Sequence, residues 1–198
     1  MATTVKILNK EIGAGHPAYI IAEVGINHNG DIEIAKKLID VASDAGADAV
    51  KFQKRTTRDI LVRSALDRPY ESENAFASTY GAHRDKLELS HDAYVELFAR
   101  ASSKGIHFFA SVWDPKSADF MEELGSPAFK ISSADLTNLP LLEHVAKKCK
   151  PMIVSTGMST ADEVEEAVET VRRHNDQLIL MHCVSDYPCE DNKVNLPN

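Results

Sequence analysis

The 198 residues, 43% of them hydrophobic, are enough for one well-buried core and too few for two full domains. A formal net charge of −8 supplies no general basic field, which argues against nucleic acid or an anionic membrane surface as the partner, so an anionic ligand must be held by local groups. No stretch approaches roughly 20 apolar residues, the opening MATTVKILNK lacks a signal-peptide centre, and Cys149, Cys183 and Cys189 show no paired spacing, so cytoplasmic residence with reduced thiols is the expectation.

The chain repeats one unit. Residues 1–15 are expected to form a small hairpin. The run from Ala18 to Gly25 is apolar and β-branched, as a strand buried on both faces should be. After Asn29-Gly30-Asp31, apolar residues recur at Ala35, Leu38, Ile39, Ala42 and Ala45, the stripe of an amphipathic helix that Gly46 can end. A second strand spans Ala47 to Gln53, and Ser90 caps a helix with Tyr94, Leu97, Phe98 and Ala101 that stops at Gly105. Ile106 to Ser111 is a third strand, and Asp114-Pro115 opens a helix that ends at Gly125. Further strands are predicted over Pro127 to Ser132, Met152 to Ser155 and Gln177 to Cys183. The intervening helices carry Leu141, Leu142 and Val145, and then Val164, Ala167, Val168 and Val171 behind the capping box Thr160-Ala-Asp-Glu163.

This alternation calls for a parallel sheet, and a (β/α) barrel or a doubly wound sheet would both satisfy it. Arg55 to Leu89 is long, polar and without period, so it reads as an insertion over one strand end. Six strands are visible where a closed barrel takes eight.

Polar residues gather at the carboxyl ends of the predicted strands, the edge at which parallel α/β folds bind ligands. They are Glu23 with Asn27 and His28; Lys51 with Gln53; Ser111; Lys130 with Ser132, Ser133 and Asp135; Ser155 with Thr156; and His182 with Ser185 and Tyr187. Lys51 and Lys130 follow apolar residues, where an ammonium is costly to bury without an anion beside it. A bound anion would meet that need, and so would a structural ion pair with Glu23 or Asp135. The serines and Thr156 can equally be helix caps, and His182 a core histidine. The acidic run Asp162 to Glu169 reads as a solvated helix face. Two lysines with several hydroxyls suggest a phosphorylated or carboxylated substrate. Two chemistries stay open at this point: a Schiff-base lysine, or an anion clamp on phosphoenolpyruvate.

The segments IIAEVGINHNGD (20–31), GADAVKFQ (46–53), FKISSADLTNLPLL (129–142), PMIVSTGMST (151–160) and HCVSDYP (182–188) resemble the N-acetylneuraminate (sialic acid) synthase family, in its order and spacing. The resemblance implies an α/β fold, a (β/α)8 TIM-type barrel that is incomplete here. About six of eight strand-helix units would lie in residues 16–198, with an insertion at about 55–89. The family's carboxyl-terminal antifreeze-like domain would be absent.

It further implies condensation of phosphoenolpyruvate with the open-chain aldehyde of N-acetylmannosamine or an analogue, with phosphate release. Lys51, Ser111, Lys130, Ser133, Ser155, Ser185 and Tyr187 would bind phosphoenolpyruvate. Glu23, Asn74 and Tyr187 would face the sugar, and Glu23 and Asp135 would handle water or protons. A divalent metal, manganese or magnesium, is implied for the complete enzyme. Its histidine ligands would lie beyond residue 198, so no residue here is assigned to metal. The resemblance also implies pairing as a homodimer in the full-length family. The chain alone is expected not to catalyse the condensation. The contrasting readings are a Schiff-base aldolase and a non-catalytic, phosphate-binding remnant.

Overall fold

The computed structural model describes residues 4–195. These form two compact units, Gly15–Pro127 and a second that joins the residues up to Ala14 with those from Ala128 onward. Met1–Thr3 and Leu196–Asn198, the outer ends of the expected hairpin and barrel spans, lie outside the described residues.

The chain opens with β1 (Val5–Ile7) and β2 (Lys10–Ile12), which pair antiparallel with Val5 opposite Ile12. Val5 and Ile7 are buried while Lys6 between them is exposed, the period of two that anchors a short ribbon on one face.

In the Gly15–Pro127 unit, β3 (Ile21–Gly25), α1 (Ile32–Asp44), β4 (Ala49–Lys54), α5 (His91–Lys104), β5 (His107–Val112) and α6 (Pro115–Glu123) repeat strand and helix. Both strand pairs are parallel. Asp31 caps α1 by accepting from the backbone N–H groups of Glu33 and Ile34, and Ser90 caps α5 through Ala93. Gly105 ends α5 at φ 70°, the left-handed conformation that glycine adopts without a Cβ penalty. The predicted second strand starts two residues late. The Asp48 carboxylate accepts from the Ile20 N–H at 2.8 Å, so residues 47 and 48 belong to the turn that aligns β4 with β3.

Three short helices occupy the segment read as aperiodic: α2 (Thr57–Ile60), α3 (Arg63–Leu66) and α4 (Tyr80–Leu87). Two of them are one turn long, which is too short to show a hydrophobic period. The core of this unit lies between strands and helices, where Phe52 and Phe108 pack at 5.0 Å between ring centres with the Tyr94 ring edge-on to both.

The other unit repeats the pattern with β6 (Phe129–Ile131), α7 (Leu139–Ala146), β7 (Met152–Ser155), α8 (Ala161–Arg172) and β8 (Leu178–Met181). β7 pairs in parallel with both β6 and β8. All of β6 and β7 is buried, including the polar Lys130 and Ser155, so those two side chains must find partners inside the fold. The capping box at Thr160 and Glu163 is formed as read. Among the described residues no helix is long and apolar enough to cross a membrane.

Candidate active site at the strand ends

Strand parity decides which polar residues share a face. In β4, Lys51 and Gln53 are two apart and point to one side, whereas Phe52 and Lys54 point to the helices. Register places Glu23 of β3 beside Lys51, and Ser111 of β5 beside Gln53. The consequence is a compact polar group. Lys51 is only 4% exposed, and its Nζ lies 2.8 Å from Glu23 Oε2 and donates to Ser111 Oγ at 2.9 Å. Ser111 therefore accepts from an ammonium and keeps its own proton to give away.

The second unit shows the same chemistry. Lys130, 5% exposed, donates to Ser155 Oγ at 2.5 Å and to the Ile131 carbonyl at 2.6 Å. Ser155 is thus also polarised by a lysine behind it. Ser133 accepts from the Gly157 N–H at 3.0 Å, so its hydroxyl proton is likewise left to donate. Ser132 instead donates to Asp135 Oδ2 at 2.7 Å, and Thr156 donates to the Met181 carbonyl at 2.9 Å. Those two hydroxyls are consumed locally.

Gly157 was not singled out in the sequence. A Cβ on it would stand 2.5 Å from Ser185 Oγ, 2.9 Å from Ser133 Oγ and 3.4 Å from Cys183 Cβ. Two hydroxyl oxygens so close leave no room for a methyl group, so glycine here lets Ser133 and Ser185 approach the backbone.

The remaining sequence-assigned residues fall as follows. Tyr187 is 93% exposed. Asn74 is exposed on the insertion, where its backbone N–H meets Ser72 Oγ. His182 lies outside any core, with Nε2 2.7 Å from the Val194 carbonyl. His28 is buried, accepts from Gly30 N–H through Nδ1, and stacks on Phe52. Burial pushes its pKa down from 6.5 to about 4, so it serves as a neutral prop for the β3–α1 turn.

Behind β4, Arg55 is buried against the Trp113 ring at 5.3 Å, and its Nε meets Glu88 Oε1 at 2.7 Å as a charge contact rather than an aligned hydrogen bond. Burial pushes the Glu88 carboxyl above the usual range, while Arg55 and Lys54 pull it back. Asp114 accepts from Thr56 N–H and Oγ1 and from Ser117 N–H and Oγ, tying the end of β4 to the start of α6. The pairing of Arg55 with Glu88 was not legible beforehand, because they lie 33 positions apart in a segment without period.

The pattern of the NeuB family matches residues 38–198. The chain belongs to the NeuB family. N-acetylneuraminate-9-phosphate synthase of Homo sapiens is 43% identical over 185 residues, which cover 93% of this chain and 52% of that protein. N,N'-diacetyllegionaminic acid synthase of Legionella pneumophila is 40% identical over 94% of this chain and 54% of that protein. The chain spans about half the length of the curated relatives it matches. The crystal structure of N-acetylneuraminic acid (sialic acid) synthetase from Leptospira borgpetersenii superposes with a TM-score of 0.85 at 33% identity, over 98% of this chain and 64% of that one. The chain accordingly has an α/β fold of the (β/α)-barrel type, with six strands of the repeating strand-helix unit among the described residues. Among the described residues, no three His, Cys, Asp or Glu side chains are grouped to hold a metal ion, so no catalytic step is derived through one.

Proposed function

We propose that this NeuB-family chain binds phosphoenolpyruvate for condensation with an N-acylated amino sugar, such as N-acetylmannosamine, giving a nonulosonic acid and phosphate. The observation that carries this reading is the donor character of the strand-end hydroxyls. Ser111 and Ser155 each accept from a buried lysine and Ser133 accepts from a backbone N–H, so all three keep a hydroxyl proton to donate. Donors backed by ammonium groups suit phosphate and carboxylate oxygens, and suit neutral ligands poorly.

On this reading Lys51, Ser111, Lys130, Ser133, Ser155, Ser185 and Tyr187 bind phosphoenolpyruvate. C3 of the enol attacks the sugar aldehyde carbon, water adds at C2, and the C2–O bond to phosphate is lost as phosphate departs. Glu23 and Asp135 handle protons, and Glu23, Asn74 and Tyr187 face the sugar. Residence in the cytoplasm and pairing as a homodimer complete the proposal.

Calorimetric titration of the chain with phosphoenolpyruvate tests it. Saturable binding is expected, weakened at least about tenfold in Lys51→Met and in Lys130→Met, given that each loses a charge-assisted contact. The isolated chain should release no phosphate above background from the two substrates, and borohydride with pyruvate should leave it unmodified. Absence of binding, or a trapped pyruvyl-lysine, would overturn the reading.

A further inference from the structure

Gln53 stands on the same face of β4 as Lys51, one step nearer the carboxyl edge and beside Ser111 in register. Its side-chain carbonyl accepts from Arg55 Nη2 at 2.5 Å. Arg55 has donors only, so this contact decides which way round the amide lies: the oxygen faces Arg55 and the NH2 faces away. That NH2 meets no protein acceptor among the described residues. It lies 3.6 Å from the point a Cβ on Gly25 would occupy, next to the end of β3 that carries Glu23.

The orienting group is itself held. Arg55 is 4% exposed, lies against Trp113 and contacts Glu88, and the following residue, Thr56, is clamped twice by Asp114. A half-buried glutamine is ordinarily free to present either end of its amide to a ligand. Here one end is committed before any ligand arrives, at little further cost in order on binding.

The geometry points to Arg55 as a positioning residue that fixes Gln53 as a pure N–H donor to a substrate oxygen at this strand edge. The inference rests on the substrate reading above for the identity of the ligand, but the orienting contact itself belongs to the free protein. It makes Gln53 selective: a hydroxyl, carbonyl or carboxylate oxygen is accepted there, and a group that can only donate is refused.

The test uses the full chain labelled with 15N-glutamine. Gln53 and Gln177 are its two glutamines, so two side-chain amide pairs appear and Gln53→Ala identifies one by its loss. In Arg55→Lys the ligand-free Gln53 pair should move toward a solvent-exposed position while the Gln177 pair, anchored on the Cys149 carbonyl, stays. Titration with phosphoenolpyruvate and, separately, N-acetylmannosamine should shift the Gln53 pair with one of the two. Arg55→Lys and Gln53→Ala should each weaken that ligand roughly tenfold, and the double variant should be no weaker than Gln53→Ala alone.

Gln53→Glu keeps an oxygen against Arg55 but replaces the donor with an acceptor. It should melt at or above the parent temperature and still bind roughly tenfold more weakly, a split that a purely structural contact would not produce. An unchanged Gln53 resonance in Arg55→Lys, additive losses in the double variant, or full affinity in Gln53→Glu would overturn the inference. If neither ligand binds by any probe, the substrate reading fails instead, and the ligand-free spectra still decide whether Arg55 orients Gln53.

Discussion

The Lys130 ammonium donates to Ser155 Oγ at 2.5 Å across neighbouring strands, with 5% of the lysine exposed. A lysine kept in such a place for stability alone would be a poor choice, because a hydrophobe of similar length avoids the desolvation cost. Lys130→Met should therefore melt within a few degrees of the parent or above it while losing phosphoenolpyruvate affinity, as thermal denaturation and calorimetry would show. A large drop in melting temperature with binding intact would assign Lys130 to the scaffold.

Gly157→Ala introduces a methyl group 2.5 Å from Ser185 Oγ and 2.9 Å from Ser133 Oγ. Both hydroxyls must retreat. The expected result is a loss of about 1–3 kcal/mol of stability, typical of overpacking, together with weaker phosphoenolpyruvate binding. A variant with parent-like affinity would show that the two serines do not need this backbone approach.

His28 sets a pH dependence. Its folded pKa, about 4, lies below the ordinary value of 6.5, chiefly through burial. The unfolded chain thus takes up the proton more readily, so this contribution is intact above about pH 6.5 and is lost as the pH falls through 4. Urea unfolding between pH 7 and 4 should show a decline on the order of 2 kcal/mol from this group. His28→Gln should flatten that part of the curve, and an identical slope in the variant would assign the decline to other groups.

Glu88 stands between two buried cations, at 2.7 Å from Arg55 and 3.6 Å from Lys54. Removing it in Glu88→Ala leaves both without their carboxylate, and a loss of about 3–5 kcal/mol is expected, the usual result of breaking a buried ion pair on one side. Chemical denaturation measures this directly. A loss under about 1 kcal/mol would mean that water already screens the cluster.

Much of the architecture was legible in local patterns. Helix caps at Ser90, Asp114 and Thr160 depend on neighbours a few residues away, and each formed where the sequence placed it; the Asp31 cap of α1 was not read in advance. The strands were readable as apolar runs, with ends shifted by at most three residues, but the first of them, expected to be buried on both faces, has only Val24 buried in β3, and β8 is only partly buried. The helices α2 and α3 were not readable, because a single turn has no period to detect. Lysines at the ends of apolar runs were conspicuous for the same local reason: a charge after a buried strand needs a partner.

The sequence by itself determined the strand-helix alternation, the family signature segments and the strand-end position of Lys51, Lys130 and the serines. Only the tertiary structure decided which partner each group meets. Parity and register chose Ser111 for Lys51, Ser155 for Lys130, and the Gly157 N–H for Ser133. The Arg55 grip on Gln53 likewise exists only because Glu88, Trp113 and Asp114 close around it from distant parts of the chain. Donor and acceptor types are written in the residue names, but whether a hydroxyl or amide is left to give a proton depends on which of its positions are already filled, and that is settled by packing.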